Sequence, residues 1–415
     1  MRGLVSSPRR RGIRLVIAAL LFAGAAHSQP GVPPPGPRAA EVSSAAGRCG
    51  TCHPSERVQF ESSRHASEAV RCVSCHGGNE GSLEVKVAHS GDFRGRPSRK
   101  DIPALCASCH DKEEKMRAYN LPVDQYALYK TSGHGRRLAQ GDTRVAVCSD
   151  CHGAHDILPT SDPASRVFRA NIPRTCGTCH GDRTRMPEAK AVYADYQKSI
   201  HAVELFEKGN PRAPTCVSCH GVHGAAPPEV GDVDKVCGQC HTAERRFFML
   251  GGHRAPKGAR IECSSCHGAH AVMAANPSRL ADSCKPCHKA GSPQAAMGGR
   301  MWIEYRSAAD ELEKAVKAAT DADAVPINTD DYRARIEEAR TYLREAMPAA
   351  HAVQEELVAN PSLRARSVGA EVQSDIYGKL GNLKTRRFLL IVFWFYLLLT
   401  IVVLRRFQKQ AVRKG

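Results

Sequence analysis

Apolar residues crowd into two runs near the ends of the 415-residue chain and are sparse between them. Residues 388–404 read FLLIVFWFYLLLTIVVL, 17 positions without a charge. At 1.5 Å per residue this run rises about 26 Å, enough to cross a somewhat thin hydrocarbon core. Lys384, Arg386 and Arg387 precede it; Arg405, Arg406, Lys409, Arg413 and Lys414 follow. The excess of cations after the run predicts a transmembrane helix whose basic tail, 405–415, lies in the cytoplasm. A shorter apolar run over 15–26 follows Arg2, Arg9, Arg10, Arg11 and Arg14, with small residues around a cleavage point near Ala26 to Ser28. This is the layout of a secretory signal over 1–28 and predicts export. An uncleaved anchor is the competing reading, and the shortness of the run argues against it. Residues 29–46, with Pro33, Pro34 and Pro35, have the composition of a linker.

Helical periodicity is confined to the last third. Over 296–384 the composition shifts to Ala, Glu, Arg and Leu, and 301–319 and 329–347 predict amphipathic helices. Asn328, Thr329, Asp330 and Asp331 resemble an N-terminal cap for the second, and Pro348 marks a break or kink. A further helix, opening near Pro361, is expected to run into the span. The segment reads as a scaffold that lifts the preceding region off a bilayer, and His351 within it reads as a surface or helix-packing residue.

Residues 47–292 show no such periodicity. They carry nine copies of C-x-x-C-H, which together use all 18 cysteines. The cysteines are Cys49 and Cys52, Cys72 and Cys75, Cys106 and Cys109, Cys148 and Cys151, Cys176 and Cys179, Cys216 and Cys219, Cys237 and Cys240, Cys263 and Cys266, and Cys284 and Cys287. The histidines that follow them are His53, His76, His110, His152, His180, His220, His241, His267 and His288. On one helical turn, positions i and i+3 share a face and i+4 lies beside them. Two thiols can thus form thioethers to the vinyl groups of one haem while the adjacent imidazole ligates the iron, the arrangement this motif marks. Zinc ribbons would need the motifs in pairs, and nine is odd; disulfides would not need a histidine after each second cysteine. The expectation is nine covalent c-type haems, with roughly 27 residues for each, too few to build an ordinary apolar core. Aromatics make up 6% of the chain and mean hydropathy is −0.37. The predicted fold is mainly α, with short helices at the motifs and much irregular chain wrapped around the cofactors.

After the first motif the other eight fall into four pairs that repeat one order. Ser-Ile-His201, then CVSCHGVH ending at His223, then CGQCH shows the pattern. Each unit adds two further histidines, giving His65, His89, His134, His155, His201, His223, His253 and His270. Eight spare histidines match eight paired motifs, which predicts bis-histidine iron. His155 is too close to His152 to reach the far face of the same haem and is expected to serve a neighbour. The first unit is a looser copy, with Asn79 where later units carry histidine and His89 ten residues on. By this count the Cys49 and Cys52 haem lacks a sixth ligand, and could take a methionine or His351 or remain open.

The formal charge of +17 invites a nucleic-acid partner. Each haem brings two propionate carboxylates, however, and Lys and Arg are largely needed to offset them, so no nucleic-acid partner is expected. The paired units resemble the multihaem c-type cytochromes, above all small cytochrome c3 and c7 modules and periplasmic decahaem conduits, over about residues 47–290. The resemblance implies bis-histidine haems that pass electrons along a row. The expected protein sits in the cytoplasmic membrane with its haems in the periplasm, taking electrons from a quinol-oxidising or other redox partner. The alternative is an enzyme resembling the multihaem nitrite reductases and hydroxylamine oxidoreductases, working at one open iron.

Overall fold

The computed structural model describes residues 46–186, 192–227, 232–254 and 261–412. The expected signal and nearly all of the expected linker lie outside them. Among the described residues all regular structure is helical. It takes two forms that meet near residue 292.

Up to that point the helices are short, from three to nine residues, and separated by turns and extended chain. The buried apolar residues here are scattered, and Phe60 with Ala66 forms the single buried cluster among the described residues of this part. Backbone groups are satisfied by local turns, and side chains tie distant segments together. Arg99, for example, donates to the carbonyls of Thr143 and Val145 and forms an ion pair with Asp150.

Beyond residue 292 the chain builds three long helices: Pro293–Ala322, Asp330–Ala349 and Glu355–Val412. Ser292 opens the first, its hydroxyl accepting from the backbone N–H of Ala295 at 3.1 Å, with proline at the position where no intrahelical N–H is needed. That cap sets the start eight residues ahead of the expected helix. The third helix likewise starts before Pro361, which sits in its second turn. Burial of Val358 against Met301 and Ala346 holds that earlier turn in place.

Alanine at the contact face lets these helices approach closely. Ala308, Ala315 and Ala319 of the first, Ala339 of the second and Ala365 of the third share one core with Leu312, Ile336, Leu343, Val372 and Ile376. Met301, near the start of the first helix, meets Ala346 near the end of the second and Val358 near the start of the third. The first and third helices therefore run parallel and pack directly on each other, with the second antiparallel to both. Past the bundle the third helix continues alone. None of its most apolar stretch is buried, and this is the one described segment long and apolar enough to cross a membrane.

Ile376→Ala should cost the bundle about 2–5 kcal/mol through the lost side chain and the cavity it leaves. The check is a lower thermal midpoint of the helical circular dichroism signal; an unshifted midpoint would mean that this core does not hold the bundle.

Candidate metal centres

Four of the nine motifs share one local design. Cys72–His76, Cys148–His152, Cys216–His220 and Cys263–His267 are each a five-residue helix. The third residue of each, Ser74, Asp150, Ser218 or Ser265, accepts a hydrogen bond from the backbone N–H just before the first cysteine, at 2.7 to 3.1 Å. A glycine then ends the turn with positive φ: Gly77 at +67°, Gly153 at +87°, Gly221 at +85° and Gly268 at +81°. A side chain there would be strained, so the pattern C-x-[S/D]-C-H-G is a helix with a built-in start and stop. In the second motif of the first two units the histidine instead closes a longer helix, Ile102–His110 and Ile172–His180.

The described residues contain 18 of the 19 histidines, and these fall into nine ring pairs, each histidine used once. Within a unit, the upstream histidine faces the second motif. His65 lies 6.0 Å from His110, His134 6.0 Å from His180, His201 6.4 Å from His241, and His253 6.2 Å from His288, centroid to centroid. Between units, the last histidine of H-G-x-H reaches back to the first motif of the preceding unit. His155 faces His76 at 6.1 Å, His223 faces His152 at 6.1 Å, and His270 faces His220 at 5.9 Å. His89 reaches back in the same way to His53, at 6.3 Å. The ninth pair joins His267 to His351 at 6.0 Å.

The Cys49 motif therefore differs from its expected role as the site with one histidine: His89 stands opposite His53. Of the eight spare histidines, His65, His134, His201 and His253 stay within their own unit, whereas His89, His155, His223 and His270 reach back past the unit they belong to. The shortfall then falls on His267, in the first motif of the last unit, and His351 stands there.

Short caps aim the upstream histidines. Ser63, Ser132 and Ser199, two residues before His65, His134 and His201, accept backbone N–H bonds at 2.9 to 3.2 Å and are almost fully buried. The residue between each serine and its histidine donates its N–H to the next unit. Arg64 bonds the Ile157 carbonyl, Gly133 that of Ala225 and Ile200 that of Val272, at 2.8 to 2.9 Å. Each accepting carbonyl lies two residues past a reaching histidine, so one backbone bond registers both imidazoles. An aromatic residue also recurs five positions before each upstream histidine: Phe60, Tyr129, Tyr196 and Phe248. Sequence reasoning passed over this repeat, although its spacing was visible.

The attachment cysteines follow one another in space in sequence order. The first-cysteine thiols of Cys106 and Cys148, of Cys176 and Cys216, and of Cys237 and Cys263 are within hydrogen-bonding reach. Second cysteines alternate with them, Cys75 beside Cys109, Cys151 beside Cys176 and Cys179, and Cys219 beside Cys240. Burial, then the neighbouring thiols, pushes Cys151 up to about 11. The motifs thus form an unbranched row.

The residues present suit haem. Two metal–nitrogen bonds of about 2 Å, together with the half-width of each ring, add up to the centroid spacing that all nine pairs share. Burial, reinforced by repulsion between partners, lowers the proton affinity of His152, His201 and His267, which favours the neutral imidazole that ligates metal. Three ring nitrogens are held by backbone carbonyls: His76 Nδ1 by Gly95 at 2.8 Å, His220 Nδ1 by Ala226 at 3.1 Å and His351 Nδ1 by Pro348 at 3.0 Å. That fixes the tautomer and leaves Nε2 to face the partner ring.

Residues 142–242 match the cytochrome c3 family. The chain is also 29% identical over 136 residues to the multiheme cytochrome MtrA of Shewanella baltica (strain OS185), an alignment that covers 32% of each protein. It thus spans about a third of that relative's length. No solved structure matches the chain. The attachment motifs, their facing histidines and these two likenesses converge on covalent haem c, and they make the chain similar to the multihaem cytochromes of the c type.

Proposed function

We propose that this chain carries nine covalent haems on the periplasmic side of the cytoplasmic membrane and relays electrons between a quinol-linked membrane donor and a periplasmic or outer-membrane acceptor. The observation that carries this reading is the set of nine histidine pairs on motifs that follow one another in a single row. Haem, when bound, supplies one-electron exchange at its iron. The chain does the rest. Cysteines three apart on one turn would fix each group to the backbone, and the two facing imidazoles would ligate its iron. Neighbouring motifs are held in contact, so that exchange along the row needs no acid, base or nucleophile. The competing reading, an oxidoreductase with one open iron, requires a motif histidine without a partner, and each of the nine has one.

The long third helix supports anchoring. The apolar side chains of 388–404, Phe388, Ile391, Phe395 and Tyr396 among them, are exposed. An apolar surface of that size calls for lipid or a partner. The roughly 33 positions from Glu355 to Phe388 rise about 50 Å. The donor is accordingly read as a protein whose redox group stands out from the membrane, a quinol-oxidising partner and not free quinol at the bilayer surface. The basic residues after the span favour a cytoplasmic C-terminus.

The intact mass of the purified protein should exceed that of its polypeptide by nine haems, with every iron low-spin by electron paramagnetic resonance. A high-spin iron in the native protein that binds nitrite or hydroxylamine would move the reading to the enzyme. His155→Ala should open one iron, seen as one cyanide bound per molecule. Because His155 faces His76, that gain should vanish when Cys72 and Cys75 are also changed to Ala, and persist when Cys148 and Cys151 are changed instead. Removal of residues 388–404 should release the protein from membranes with its visible spectrum unchanged; retention in the membrane fraction would count against the anchor.

A further inference from the structure

We infer that the C-terminal bundle is itself a haem-ligand donor: His351, in the turn between its second and third helices, closes the iron attached at Cys263 and Cys266. The inference rests on reading the paired histidines as axial ligands, and goes beyond it by assigning a residue outside the motif region.

Position alone would leave His351 unremarkable, 63 residues past the last motif histidine in sequence. Its ring nevertheless lies 6.0 Å from that of His267, nearly parallel at 20°. The relation copies the pairs His76 with His155, His152 with His223 and His220 with His270, which span 5.9 to 6.1 Å. Those three are completed by the unit that follows. The fourth unit has no successor carrying H-G-x-H, and the Ala350–Ala352 turn stands where one would be.

The docking of that turn is built on both sides. In the first three units the residue two before the upstream histidine is a buried serine cap; in the fourth it is Gly251. A Cβ on Gly251 would come within 2.8 Å of the Ala352 carbonyl oxygen and 3.1 Å of that of His351, so the substitution of glycine for serine is what admits the turn. The helix Thr242–Phe248 packs against it, and Gln354 Nε2 donates to the Leu250 carbonyl at 3.3 Å. On the bundle side, Val353 has φ of +54°, a costly conformation for a β-branched residue, held because the chain must turn sharply here from one helix into the next. The Pro348 carbonyl receives His351 Nδ1, leaving Nε2 to face His267. The bundle thus acts as the terminal unit of the row as well as its stalk.

The test uses the full-length holoprotein. In His351→Ala one iron should become high-spin, one additional cyanide should bind per molecule, and free imidazole should restore the low-spin signal. His351→Met should keep that iron low-spin but raise the potential of one haem above its value in the native protein. Gly251→Val leaves every histidine in place and should reproduce the high-spin signal by displacing the turn. If His351→Ala and Gly251→Val keep the native spin count and cyanide stoichiometry, or His351→Met leaves all potentials unmoved, His351 is not a ligand and the inference fails. The relay reading would survive that result, because eight of the pairs lie within residues 49–288. A protein without covalent haem would overturn both.

Discussion

The structure of the motif region depends on two imidazoles from separate stretches of chain meeting at one point. His155 comes to His76, His223 to His152 and His270 to His220, each across a unit boundary. A helix of five residues has little stability of its own, and an apolar cluster as small as Phe60 with Ala66 adds little more. What can hold such a chain is ligation, since two bonds at a metal join segments that are distant in sequence. The fold of this region is therefore coupled to its cofactor, as small metal domains are coupled to metal. The geometry of the pairs also makes the units interdependent. No unit closes its own first site, so the row is ordered from end to end by its neighbours and not unit by unit.

The bundle solves the same entropic problem by opposite means. Its alanine-rich faces bury Leu312, Ile336, Val372 and Ile376 at close range, and its stability needs no ligand. Ion pairs such as Arg300 with Glu355 at 2.7 Å dress its surface. The two architectures meet at the Ala350–Ala352 turn, where the helical bundle is seated against the last unit of the row. A stalk attached only by the peptide link at residue 292 would leave that row free to swing. A second attachment at the turn, through Gly251, Gln354 and His351, fixes the last units relative to the helix that carries the apolar span.

Much of the site was legible because its chemistry demands fixed local spacing. C-x-x-C-H needs one helical turn, so the 18 cysteines and nine motif histidines could be read straight from the chain. The reaching histidines were legible as a set, since H-G-x-H places its second imidazole beyond the reach of its own motif. The helix bounds were less so. Pro361 suggested an opening, but a proline is tolerated in an early turn when packing of Val358 fixes the turns around it. His89 and His351 were the hard cases. Neither sits at the repeated offset, and no local rule links position 351 to position 267.

The sequence by itself determined which groups are available: the thiols, the imidazoles, the helical period of the last third and the charge-free run near its end. Each follows from spacings of a few residues, where backbone geometry leaves little freedom. Only the tertiary structure decided which imidazole meets which, that the row begins with His53 facing His89, and that His267 meets a residue of the bundle. Those partners are set by how successive units dock and by where a long helix turns back. Such contacts join residues up to 84 positions apart, as His267 and His351 are, and nothing in the local order of residues encodes them.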